Sequence, residues 1–140
     1  MLPAKWRPRD VNTKFTILPW PIGAEDRLLV TNHDAFEYFA DRYGFKVIGT
    51  IIPGGSTLAE PSSAEMAELV ATINQYEVPA IFVENIASSG LADTLASETG
   101  RDIKVIQLVS DALGEPGTET ATYLGMILFN ATIIANSLRG

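Results

Sequence analysis

Short apolar runs alternate along this chain with longer stretches whose apolar residues recur every three or four positions, and the alternation begins only after residue 25. Arg27–Thr31 is a brief apolar run of the kind that forms a buried parallel strand. Asp34–Tyr43 sets Phe36, Phe39, Ala40 and Tyr43 at helical spacing and stops at Gly44, the residue type that most readily takes the left-handed conformation closing a helix. Lys46–Ile52 is again β-branched and apolar, which completes a first βαβ unit. A second follows Gly54 and Gly55. Ser62 and Glu65 stand three apart behind Pro61, as in a capping box, and Met66, Leu69, Val70 and Ile73 form one helical stripe. Val78–Val83 reads as a third strand, Ser89–Thr99 as a helix ended by Gly100, Ile103–Val109 as a fourth strand, and about Thr118 to Leu138 as a closing helix.

Strands that alternate with helices of this length predict an α/β fold: a single lobe over residues 26–140, with a four-stranded, mainly parallel sheet flanked by helices. Residues 1–25 contain Pro3, Pro8, Pro19 and Pro21 among basic and aromatic residues. They predict an irregular arm with a short extended piece near Lys14–Leu18. No internal repeat is present. In such a sheet all strand ends share one edge, where ligand sites lie. That edge is predicted to carry His33 after the first strand, Gly54 and Gly55 after the second, Glu84 after the third and Asp111 after the fourth.

Composition narrows the chemistry. The 140 residues, 46% apolar and 19% charged, suffice for one self-supporting core. Without cysteine, thiolate zinc sites, thiol catalysis and disulfides are excluded. The N-terminus lacks the apolar core of a secretion signal, and no run approaches the roughly 18 apolar residues of a membrane span, so the chain as given reads as soluble. The net charge of −7 is uneven: Lys5, Arg7, Arg9 and Lys14 against Asp10 make residues 1–14 basic by three, which leaves −10 on the rest. A body of that charge repels nucleic acid, and no basic stripe interleaved with aromatics offsets it.

His33 is the only histidine, and its place at the expected start of a helix makes it the first candidate. It can be read as a metal ligand, a base, or a ring satisfied by local hydrogen bonds; a helix N-terminus would disfavour the imidazolium and keep the ring able to coordinate. Asp111 can be a ligand or a turn cap. Glu84 can be a ligand, an acceptor for an imidazole N–H, or a support for loop backbone donors, and support is preferred over ligation. Asp34 reads as a favourable charge in a first helical turn rather than half of a catalytic pair. A nitrogen and a hard oxygen donor on one rim point to a transition metal. Other chemistries lack their frames. Gly54-Gly55-Ser56-Thr57 matches neither phosphate-loop pattern, and Ser88, Ser89 and Ser110 lack a nucleophile elbow.

Several blocks, in order, are similar to one family. Leu28-Leu29-Val30-Thr31-Asn32-His33-Asp34-Ala35-Phe36, Gly55-Ser56-Thr57 with Glu60-Pro61-Ser62, Pro79–Glu84, Ser110–Gly114, and Thr122–Met126 with Asn130 resemble the C-terminal lobe of zinc/manganese ABC-transporter substrate-binding proteins. The resemblance covers roughly residues 25–138. It implies a four-ligand site between two lobes, two histidines coming from the N-terminal lobe and a His or Glu plus an Asp from the C-terminal one. The last two map onto His33 and Asp111. Histidine at the first position resembles the three-histidine, one-aspartate variety, with Zn²⁺ and Mn²⁺ both open as cargo.

The same resemblance makes the family's N-terminal lobe, linking helix and secretion or lipoprotein signal expected absences from this chain, the basic arm standing in their place. It implies a non-enzymatic, extracytoplasmic protein that carries half a metal site and serves a membrane ABC permease. In a homodimer, two His33 and two Asp111 would rebuild a four-ligand site. Two rival readings are an interaction module that has lost metal transport, and a metal-assisted hydrolase for which Glu84 is the only nearby base.

Overall fold

A computed structural model describes residues 22–52, 60–84 and 90–139. After a short 3₁₀ turn at Ala24–Asp26, the chain runs β1 (Leu28–Thr31), α1 (Glu37–Tyr43), β2 (Lys46–Thr50), α2 (Ser63–Gln75), β3 (Ala80–Glu84), α3 (Gly90–Glu98), β4 (Lys104–Leu108) and α4 (Tyr123–Leu138). The strands form one parallel sheet in the order β2-β1-β3-β4. The expected α/β lobe with four parallel strands is therefore present.

The sheet's central strand explains the layering. Every residue of Ala80-Ile81-Phe82-Val83-Glu84 is buried, because β3 is covered on both faces. Successive side chains in a strand point to opposite faces. Ala80 and Phe82 accordingly join the cluster built by Phe39 of α1 and Ile134 of α4, whereas Ile81 and Val83 join the one built by Ile73 of α2 and Leu95 of α3. By the same alternation Glu84 has the parity of Phe82.

Local chemistry sets the helix ends. Gly44 takes φ 72° and closes α1. The Ser62 hydroxyl accepts from the Glu65 amide, and the Glu65 carboxylate accepts from the Ser62 amide at 2.8 Å, so the capping box is formed. Replacing Ser62 with alanine is expected to destabilise the fold by about 1 kcal/mol, read as a lowered urea midpoint at unchanged slope.

Two helix starts differ from expectation. α1 begins at Glu37 rather than Asp34, since Phe36 sits at φ −112°, ψ 10° with its side chain in the core, and residues 32–34 bend instead. The closing helix begins at Tyr123 rather than near Thr118, because Glu115–Ala121 fold into turns: Thr118 N–H donates to the Glu115 carbonyl, and Gly114 N–H to that of Thr120. Thr122 then caps α4 by accepting from the Gly125 amide at 3.1 Å. The strands are shorter than their apolar runs, although Ile51 and Ile52 continue the ladder by donating to the Thr31 and Asn32 carbonyls. The predicted arm up to residue 21, its extended piece at Lys14–Leu18, Gly54-Gly55 and Ser88-Ser89 lie outside the described residues. Among the described residues, no helix is long and apolar enough to cross a membrane.

Candidate functional site

From β1 the chain crosses to β2 on one side and then to β3 on the other, so the β1/β3 pair is the point where the direction of winding reverses. A crevice opens beyond the strand ends at such a point. Thr31 of β1 pairs with Phe82 of β3, and Asn32 N–H donates to the Phe82 carbonyl at 3.0 Å, which sets the next residue, His33, beside the end of β3. The Thr31 hydroxyl donates to the His33 carbonyl at 3.0 Å and fixes the bend from the inside.

The result is a contact between residues 51 apart in the chain: His33 Nδ1 lies 3.0 Å from Glu84 Oε2. Glu84 is fully buried, while the His33 side chain keeps 17% of its surface exposed. An ionised carboxylate can only accept, so with Glu84 charged the imidazole donates from Nδ1 and keeps its lone pair on Nε2. Such a contact fixes the tautomer and the orientation of the ring. His33 does not stand in a first helical turn, as the sequence predicted. It precedes α1 by four residues, beyond the reach of the helix dipole, and Asp34 likewise falls in the bend. The neighbour that defines the ring is Glu84.

Burial pushes the Glu84 carboxyl above its ordinary value; the His33 ring opposes this, and the Asp111 charge raises it further. Glu84 Oε1 has no hydrogen-bond partner among the described residues, nor has the buried Asn32 Oδ1. A carboxyl whose folded value lies above its unfolded one is neutral in both states at low pH. It begins to oppose folding as pH rises past the unfolded value and opposes it in full above the folded one. Glu84→Gln is therefore expected to melt above the parent chain in chelator at neutral pH. The advantage should shrink as pH falls toward about 4.3, a profile that a set of thermal melts at graded pH would read.

Asp111 follows β4 by three residues, exposed, at φ 57°. This left-handed conformation is uncommon outside glycine, and aspartate is among the few residues that tolerate it. Asp111 follows the end of β4, on the same edge of the parallel sheet as the ends of β1 and β3. Alongside lies an open groove of about 550 Å³ between α1 and the start of α4, lined by Tyr38, Tyr43, Asp111, Tyr123 and Met126 among others. The fold thus brings His33 and Glu84 into contact and sets Asp111 near them. Among the described residues, no three His, Asp or Glu converge as a ready metal cage.

Sequence reasoning missed two supporting residues. Thr31 looked like one more β-branched strand residue. Asn130 figured only within a motif, yet it is a buried amide directly after the apolar run Met126–Phe129, and a polar side chain on a core stripe was the available signal.

Comparison with known proteins places the chain in a family. Residues 12–137 match the family described as zinc-uptake complex component A, periplasmic (ZnuA). The zinc-binding protein TroA of Treponema pallidum is 42% identical over 82% of this chain and 38% of its own length. The manganese-binding lipoprotein MntA of Bacillus subtilis is 38% identical over 84% of this chain and 39% of its own. The solved structure of periplasmic zinc-binding TroA superposes with a TM-score of 0.76 at 40% identity, covering 93% of this chain and 46% of that one. The chain spans about two fifths of the length of these curated relatives. It belongs to the family of periplasmic zinc-uptake components typified by ZnuA.

Proposed function

We propose that this chain is a metal-binding lobe of an ABC-transporter solute-binding protein, in which the Nε2 atom of His33 and the carboxylate of Asp111 ligate Zn²⁺ or Mn²⁺ as cargo. Glu84 holds the His33 ring from behind. The observation that carries the reading is the 3.0 Å contact between His33 Nδ1 and the fully buried Glu84, which leaves one imidazole nitrogen for a metal. A buried carboxylate with one oxygen unpartnered among the described residues, at the reversal point of the sheet, suits a role beyond packing. A bound cation relieves that arrangement, because it offsets the charge of Glu84 through the ring it holds.

Zn²⁺ takes four ligands in a closed site, and two donors are half of that number. The remaining donors come from outside the lobe spanning residues 26–140: from a second lobe, as the family resemblance implies, or from a second copy of the chain. The relatives named as periplasmic or lipoprotein components support an extracytoplasmic setting and a membrane ABC permease as recipient of the metal. The function is binding and delivery, not catalysis. Thermal melts of chelator-stripped chain with graded Zn²⁺ and Mn²⁺ test the reading. A saturable rise in melting temperature supports it, and the absence of any saturable rise with either metal overturns it.

A further inference from the structure

Asn130 of α4 makes two hydrogen bonds to a single residue: its Oδ1 accepts from the Val109 N–H at 3.0 Å, and its Nδ2 donates to the Val109 carbonyl at 2.7 Å. Asn130 is itself 2% exposed. The N–H and C=O of one extended residue lie on the same side of the strand, and a primary amide, with one acceptor and two donors, matches both at once. The amide therefore serves as one rung of a neighbouring strand just where β4 ends. Val109 is the last residue held this way before the chain turns: the Ala112 N–H donates to the Ser110 carbonyl, and Asp111 between them adopts φ 57°. Aspartate tolerates that conformation, and the hydrogen bonds on either side of it hold the turn in place. One side of the turn is fixed by Asn130, and the other by the Gly114–Thr120 hydrogen bond.

We infer that Asn130 is a positioning residue for metal capture, clamping Val109 so that the turn holds the Asp111 carboxylate at the rim beside His33. This rests on the metal-binding reading above and deepens it. Asn130 touches no metal; it acts through Asp111. Hydrophobic replacements fill its volume but cannot hold either backbone group of Val109, so the end of β4 is freed and Asp111 leaves its place.

The test is a double-mutant cycle in Zn²⁺ affinity, measured on the full chain by competition with a chromophoric chelator. Asn130→Leu is expected to weaken Zn²⁺ binding by about 10- to 100-fold, the range for residues that orient metal ligands. In an Asp111→Asn background the same change is expected to alter affinity by less than about threefold, since effects that share one route do not add. Ile134→Val, a change in the core four residues along the same helix, is expected to lower the melting temperature while leaving affinity unchanged. Asn130→Asp provides a second variant: it keeps an oxygen for the Val109 N–H and loses the donor to its carbonyl. Equal losses in both backgrounds overturn the positioning role, as does unchanged affinity in Asn130→Leu and Asn130→Asp. A parent chain that takes up no Zn²⁺ overturns the metal-binding reading and this inference with it.

Discussion

Replacing His33 with alanine is expected to abolish the rise in melting temperature that Zn²⁺ produces, and separately to lower the melt in chelator. The two halves of that result have separate causes. A ligand present at 100 times its dissociation constant stabilises the fold that binds it by about 2.7 kcal/mol. For a domain of this size that is a shift on the order of 10 °C. His33 supplies the only nitrogen donor of its kind in the chain, so its loss removes this stabilisation rather than reducing it. In chelator the loss is that of the hydrogen bond to Glu84, whose buried carboxylate is left without the Nδ1–H donor. Asp111→Asn is expected to reduce the Zn²⁺-dependent rise with the melt in chelator nearly unchanged, because the carboxylate is exposed and asparagine tolerates the left-handed backbone at this position. A metal-dependent shift of parental size in either variant would place the cation elsewhere.

The largest loss of stability is expected from Phe82→Ala. Phe82 is fully buried in the central strand and packs in the cluster between the sheet and the layer formed by α1 and α4. Removing a buried phenylalanine side chain leaves a cavity and costs about 3–5 kcal/mol, against a total of about 5–15 kcal/mol for a typical domain. Because Phe82 also pairs with Thr31 and its carbonyl accepts from Asn32, the change acts on the register that places His33. Urea unfolding would show a large fall in midpoint at unchanged slope. Tyr38→Ala is the informative contrast. That side chain is 93% exposed on the groove wall, and its removal should alter stability by less than about 0.5 kcal/mol. Similar losses for both residues would contradict the layered core.

The sequence carried the layers of this fold in its periodicities. Ala80–Val83 could be read as a strand because both its faces are buried, which makes the run continuously apolar, and the stripe ending at Ile73 could be read as a helix because only one of its faces is. Helix starts were less legible, since they depend on how a loop folds. Phe36 fits the helical spacing of α1 but lies outside it, its side chain drawn into the core from a non-helical backbone. Thr118 looks as good a cap as Thr122, and only the turns at Glu115–Ala121 decide between them.

The candidate site was legible as residue types at strand ends, and the contact that gives them meaning was not. His33 and Glu84 meet because β1 and β3 are neighbours, and strand order is not written in any local pattern. The helix dipole was accordingly taken as the ring's defining neighbour, whereas the group that orients it is a carboxylate on the adjacent strand. Asn130 was hidden for a related reason. Its partner is a backbone unit 21 residues earlier, and backbone groups leave no mark in a sequence.

The most direct test of the account is nitrogen NMR of the His33 ring, whose signals are unambiguous because the chain has one histidine. On titrating Zn²⁺ into ¹⁵N-labelled, chelator-stripped protein, the account predicts that the Nε2 resonance moves to its metal-bound position while Nδ1 remains protonated, held by Glu84. Ring signals that stay unmoved at saturating Zn²⁺, or a metal bound through Nδ1 with the Glu84 contact broken, would contradict it.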